Sequence, residues 1–199
     1  YSGMAEILFR RGRNSEALAH HDKALTLFVK TGNIAGQSLV YLKQGRIMYF
    51  MDEYGRALEL FDKAIPLLEK AKDISGLGEA YLNKGILFFY QGRIDEAAAL
   101  LDRSLSFYKK CGDRFGEGRV YEHKAKVLQG TGRIEEAMKS YETALILFKA
   151  VNYPIGQANI HVIHGEIYLV TGDTDKSIEM FKRALSLYEK GNSKLGLAN

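Results

Sequence analysis

Gly76–Gly116 reads GLGEAYLNKGILFFYQGRIDEAAALLDRSLSFYKKCGDRFG, and moving this stretch by 40 residues in either direction lays it on a copy of itself. Gly36, Gly76, Gly116, Gly156 and Gly196 stand at this stride. So do Gly12, Gly92, Gly132 and Gly172, with Asp52 in the one gap. Two further series are Ala17, Ala57, Ala97, Ala137, Ser177 and Ala24, Ala64, Ser104, Ala144, Ala184. Four interleaved series of small residues in one register define a repeat array, a signal that outranks any local propensity.

Working outward, each repeat carries two helix-period segments. Val40, Tyr41, Gln44, Gly45, Ile47 and Met48 fall within one arc of a 3.6-residue helix, as do Ala57, Leu58, Phe61, Ala64, Ile65 and Leu68. The turn between them needs a left-handed residue, which Gly supplies in four repeats and Asp52 tolerates in the other. Asn33, Asp73, Asp113 and Ser193 stand where an N-cap would open each first helix. The fourth such junction reads Asn152-Tyr153-Pro154, with Pro in the first turn, where its missing N–H costs little. Pro66 lies inside a second helix and is expected to kink it. The spacing predicts helices over 1–10, 14–31, 34–50, 54–71, 74–91, 94–111, 114–130, 134–151, 154–171 and 174–191.

The expected fold is therefore all-α, a right-handed α-α superhelix (solenoid) of about five helix-turn-helix repeats. The repeats fall at about 1–31, 33–71, 73–111, 113–151 and 153–191, forming one solenoid domain over 1–199. Both ends cut the pattern: Tyr1 aligns with Tyr41, and 193–199 aligns with the opening of a sixth first helix. The chain reads as a fragment of a longer array. The sharper reading is end-to-end self-association through uncapped terminal repeats, since terminal repeats normally carry polar caps.

Composition narrows the function classes. The 199 residues carry 28 Lys and Arg against 24 Asp and Glu, a net charge of +4. The signs are mixed along the chain: 13 basic and 12 acidic in residues 1–100, 15 and 12 in residues 101–199. A nucleic-acid footprint would be a stripe of one sign, so no nucleic-acid partner is expected. No apolar run approaches the roughly 18 residues of a membrane span and no leader pattern opens the chain, so no membrane partner is expected either. The single Cys111 cannot form an internal disulfide and fits a reducing compartment. A cytoplasmic location is expected.

The residues also resemble a family. The tetratricopeptide repeat places an aromatic, then Gly or Ala four later, then Ala, an aromatic and Ala along the second helix. Tyr41-Gly45-Ala57-Phe61-Ala64, Tyr81-Gly85-Ala97-Leu101-Ser104, Tyr121-Ala125-Ala137-Tyr141-Ala144 and His161-Gly165-Ser177-Phe181-Ala184 follow that order. The stride of 40 exceeds the commoner 34, and the proline that usually ends the second helix is replaced by Glu69, Lys109, Lys149 and Glu189. The chain thus resembles the 40-residue subclass of kinesin light chains, LGN-type polarity adaptors and MalT-like bacterial regulators.

No residue set points to catalysis, and no enzyme activity, metal or cofactor is expected. His161 and His164 stand three apart on one helix, but His161 takes the aromatic core position and no Cys or carboxylate clusters with them in sequence. His21 takes the equivalent core position in the first repeat. Cys111 follows Lys109 and Lys110 and could be a mildly reactive thiol. Gly116-Glu117-Gly118 follows no strand and is no phosphate loop.

The resemblance implies that the first helices line a concave groove, and positions a quarter turn from the core arc should face it. These are Leu39, Leu42, Arg46, Tyr49 and Phe50, then Glu79, Leu82, Ile86, Phe89 and Tyr90. The later repeats give Arg119, Glu122, Lys126 and Gln129, then Asn159, Val162, Glu166 and Leu169. Repeats two and three carry apolar and aromatic residues on both arcs, more than a helix solvated on one side requires. The competing explanation is that Leu42, Leu82 and Phe89 are used up against the neighbouring first helix. The expected partner is a protein or peptide, extended or helical, with apolar anchors and a mixed-charge tail. The two-carboxylate clamp of the family's chaperone co-factors needs Lys and Asn at set positions. Leu42, Leu82, Glu122 and Val162, then Arg46, Ile86, Lys126 and Glu166, stand there instead. The leading reading is a protein–protein interaction scaffold; the alternative is a ligand-sensing or self-association segment of a larger MalT-like regulator.

Overall fold

A computed structural model describes residues 1–196, with side chains described to residue 191. Its order is α1 (Ser2–Arg10), α2 (Asn14–Lys30), α3 (Ile34–Phe50), α4 (Tyr54–Ala71), α5 (Ile74–Tyr90), α6 (Ile94–Cys111), α7 (Arg114–Gly130), α8 (Ile134–Ala150), α9 (Pro154–Val170) and α10 (Thr174–Gly196). Among the described residues there is no strand, and no helix is long and apolar enough to cross a membrane. The chain divides into two compact units, Tyr1–Gly112 and Asp113–Asn199. The first holds the hairpins α1/α2, α3/α4 and α5/α6; the second holds α7/α8 and α9/α10.

The turns explain one of the glycine series. Gly12, Asp52, Gly92, Gly132 and Gly172 all have positive φ, between 59° and 86°. In each, the amide of the next residue reaches back to the carbonyl five positions earlier, as Arg13 does to Leu8 at 2.9 Å and Glu53 to Met48 at 3.0 Å. This six-to-one bond closes the helix and fixes a turn only three residues long. Gly32, Lys72, Gly112 and Asn152 form a second left-handed series between repeats, again spaced by 40. Directly after them, Asn33, Asp73 and Asp113 accept from the amides of Gly36, Gly76 and Gly116 at 2.8–2.9 Å, capping α3, α5 and α7 as expected.

Gly36, Gly76 and Gly156 sit where a capping turn meets the end of the preceding second helix. A Cβ on Gly36 would lie 2.6 Å from the ring of Phe28, one on Gly76 would run into Leu68, and one on Gly156 would lie 2.8 Å from Phe148. The alanine series is the hairpin interior: Ala17, Ala57, Ala97 and Ala137 are fully buried. Where serine enters, a facing carbonyl accepts a hydrogen bond from its hydroxyl. Ser104 Oγ donates to Gly78 O at 2.7 Å, and Ser177 Oγ to Gly165 O at 2.8 Å. In the first unit Phe61, Leu68, Leu77 and Leu87 fill the space beside the small residues; in the second Tyr141, Leu145, Phe148 and Ile160 do.

One boundary needs correction. The last helix does not stop near residue 191. α10 continues as one helix to Gly196, so Ser193 lies within it and caps no sixth helix. A break at Ser193 would give up hydrogen bonds that the continuous helix keeps. Positions 197–199 of the expected sixth helix lie outside the described residues. α4 stays a single helix of 18 residues through the exposed Pro66.

Candidate peptide-binding surface

The seventeen residues expected to face a groove, and Asn159 beside them, separate into two kinds. Leu42, Leu82 and Ile86 are 2%, 0% and 7% exposed, so they belong to the core and not to an open surface. Leu42 joins the cluster of Phe61, Leu77 and Tyr81. The reason is the contact of α3 with α5, which closes over the arc that a lone helix would leave open. The apolar surplus read from these three positions is therefore taken up by packing.

What stays open among the expected aromatic residues lies at the C-terminal ends of the first helices. Phe50 and Tyr90 are 60% and 56% exposed, Leu39 is exposed, and Tyr49, Phe89, Glu79 and Arg46 are half-buried. The aromatic rings form a connected ladder. Phe9 meets Phe50 with centroids 5.3 Å apart, Phe50 meets Tyr49 at 5.3 Å, and Tyr49 meets Tyr90 at 6.2 Å. Tyr54 stacks on Tyr90 at 6.3 Å, and Phe89 lies 5.8 Å from Tyr90. Phe9, Tyr49 and Phe89 are one 40-residue column; Phe50 and Tyr90 are the next. Neither Phe9 nor Tyr54 was among the expected site residues. The column alone would have found Phe9, whereas Tyr54 enters from the second helix and shows only in three dimensions.

Charge frames one end of the ladder. The Arg46 guanidinium lies 5.2 Å from the Phe9 ring centroid and 3.4 Å from Glu6, with Lys43 4.0 Å from the same carboxylate. Burial works to raise the Glu6 pKa, but Arg46, Lys43 and Arg10 outweigh it and hold the group below its ordinary value. The Tyr49 phenol is pushed well up, first by burial and then by its hydrogen bond with Tyr90, so it stays neutral. The Tyr54 hydroxyl donates to Asp52 at 2.9 Å.

In the second unit the expected residues are mostly engaged within the protein. Lys126 pairs with Glu122 at 2.7 Å, the Tyr141 hydroxyl donates to Gln129 at 2.9 Å, and that of Tyr188 to Asn159 at 2.5 Å. Arg119 and Val162 are half-buried, while Glu166 and Leu169 are exposed. The column that holds Phe9, Tyr49 and Phe89 continues as Gln129 and Leu169, so it carries no ring in this unit. The rings that meet here are instead Phe115, Phe148 and Tyr153, with centroids 5.0–6.2 Å apart. Among the described residues no group of three metal-ligating side chains assembles, and Cys111 is exposed with its thiol against the Tyr108 carbonyl at 3.4 Å.

Comparison with known proteins agrees with this architecture. The tetratricopeptide repeat profile matches residues 1–70, 76–150 and 117–190. No curated protein matches by sequence. Among solved structures, the Rap conjugation gene regulator of plasmid pLS20, in complex with the Phr* peptide, is similar with TM-score 0.82 and 17% identity, over 94% of this chain and 52% of that one. A signal-transduction ATPase with a tetratricopeptide repeat sensor from Pyrococcus horikoshii gives 0.78 and 19%, over 97% and 30%. The nearly identical repeats of a Podosopora anserina putative kinesin light chain give 0.65 and 15%, over 95% and 93%. With profile matches over nearly its whole length and the capped, glycine-spaced hairpins described above, the chain belongs to the tetratricopeptide repeat family.

Proposed function

We propose that this chain is a protein–protein interaction scaffold whose first unit takes a peptide or helical segment of a partner on its first-helix face. The observation that carries this reading is the ring ladder from Phe9 to Phe89, two of whose members are more than half exposed. Exposed aromatics beside an arginine are the chemistry on which binding energy concentrates. The likeness to a regulator solved with a peptide supports a peptide as the occupant. Phe50 and Tyr90 would anchor apolar side chains, and Arg46 would orient an acidic group nearby.

Peptides selected from a displayed library against the wild type provide the test. Phe50→Ala with Tyr90→Ala should weaken them at least about tenfold while leaving the melting temperature nearly unchanged, because both side chains are exposed. Equal binding to both proteins would remove the ladder as the site. The likeness to an ATPase bearing a repeat sensor favours a second reading, in which the array is the ligand-sensing or self-associating part of a larger regulator. Under that reading the purified chain should sediment as concentration-dependent oligomers; a strict monomer would exclude self-association.

A further inference from the structure

A slot between the second helices of the other unit has no place in the reading above. In the first unit the equivalent slot is filled. Tyr81 stacks on Phe107 with centroids 5.6 Å apart, Arg103 covers the Tyr81 ring at 4.1 Å, and Lys84 pairs with Asp62. Eighty residues later Tyr81, Lys84 and Phe107 become His161, His164 and Leu187. The smaller side chains leave a concavity of about 410 Å³, which Met138, Lys149, Tyr168, Met180 and Arg183 help to line. A second of about 460 Å³ adjoins it, sharing Lys149, His161 and Arg183 and adding Lys182. The two histidines are each only 6% exposed, and each has an enclosed ring nitrogen with no hydrogen-bond partner among the described residues.

The charge of the slot also changes. Glu59, Asp62 and Glu69 on α4 become Lys139, Glu142 and Lys149 on α8. Three ammonium groups and the Arg183 guanidinium then face one carboxylate of the lining, Glu142, and Arg183 is additionally paired with Glu179 on its own helix. Lys139 and Lys149 are ten residues apart on one helix, about 15 Å along its axis. An extended segment of about five residues covers that distance, and a lone phosphate does not. Met138, Met180 and Leu187 offer apolar contacts between the cations.

We propose that this slot, between α8 and α10 with α9 as its floor, docks an acidic peptide segment in which carboxylates alternate with apolar side chains. The carboxylates meet Lys139, Lys149 and Arg183, above a floor that the His161 and His164 rings help to form. It is separate from the ring ladder, so either site can fail without the other.

The probe is acetyl-Glu-Leu-Glu-Leu-Glu-amide, followed by the side-chain nitrogen resonances of His161 and His164. The glutamine version of the peptide and inorganic phosphate serve as comparisons. Saturable shifts with the acidic peptide are expected, at least about tenfold tighter than with the glutamine peptide. His161→Tyr restores the ring that fills the slot in the first unit; it should fold and should abolish the shifts, and Lys149→Glu should weaken them at least tenfold. Absence of shifts, or shifts that survive both substitutions, overturns the proposal. Phosphate that competes as well as the acidic peptide overturns it too, in favour of a small-anion site.

Discussion

Phe61 lies so close under Gly45 that a Cβ added to the glycine would sit 2.6 Å from its Cε1. Gly85 stands against Leu101 in the next repeat with more room, 3.1 Å. In repeat four the same position holds Ala125, fully buried beside Tyr141 in the second unit's core, so a methyl is acceptable where the opposing ring is placed for it.

Gly45→Ala should therefore be destabilising and Gly85→Ala close to neutral, because the helix gain of roughly 1 kcal/mol from alanine offsets a mild squeeze but not a ring collision. Gly45→Leu and Gly85→Leu should each cost about 1–3 kcal/mol from overpacking. Urea unfolding of the four variants checks the order.

Leu82 and Tyr90 are eight residues apart on α5 but should respond oppositely. Leu82→Glu buries a carboxylate with no partner and should abolish cooperative unfolding or cost at least about 3 kcal/mol. Tyr90→Ala should stay within about 1 kcal/mol of wild type, since the side chain is more than half exposed. Thermal melts followed by circular dichroism separate the two; a Leu82→Glu as stable as the wild type would contradict the burial.

Removing the Asp73 cap should cost about 1 kcal/mol, because its carboxylate accepts from the Gly76 amide at the start of α5. Asp73→Asn should recover most of the loss, as Asn33 does the same work in the preceding repeat. Asp73→Ala with unchanged stability would mean that water replaces the cap at no cost.

Acid should weaken the second unit through its buried histidines. Burial lowers the pKa of His161, assisted by His164, Lys149 and Arg183 and opposed by Glu142; burial also lowers that of His164, again opposed by Glu142. A folded pKa below the ordinary value of 6.5 means that the unfolded chain takes the proton first. The stability is complete above about pH 6.5 and declines as the pH falls toward the depressed folded values. Urea midpoints should drop between about pH 7.5 and 5.5 in the wild type. They should drop less in His161→Tyr with His164→Gln. An equal drop in both would assign the acid sensitivity to other groups.

Local chemistry made most of the frame legible. The stride of the glycines, the Asn and Asp caps and the left-handed turns each depend on a few neighbouring residues, so nine of the ten helices end within one residue of their expected positions. Depth was a different matter. The 3.6-residue period gives the angle of a side chain about its own helix axis and says nothing of how far the adjacent helix reaches over it. Leu42, Leu82 and Ile86 share an arc with Tyr49 and Phe89, yet the first three are enclosed and the last two border the surface. Tyr54 joined the ladder from a different helix, and α10 ran on past its expected stop. The sequence by itself determined the repeat, its turns and its family. Only the tertiary structure decided which apolar side chains were left over, because that depends on helices brought together from 20 and 40 residues away.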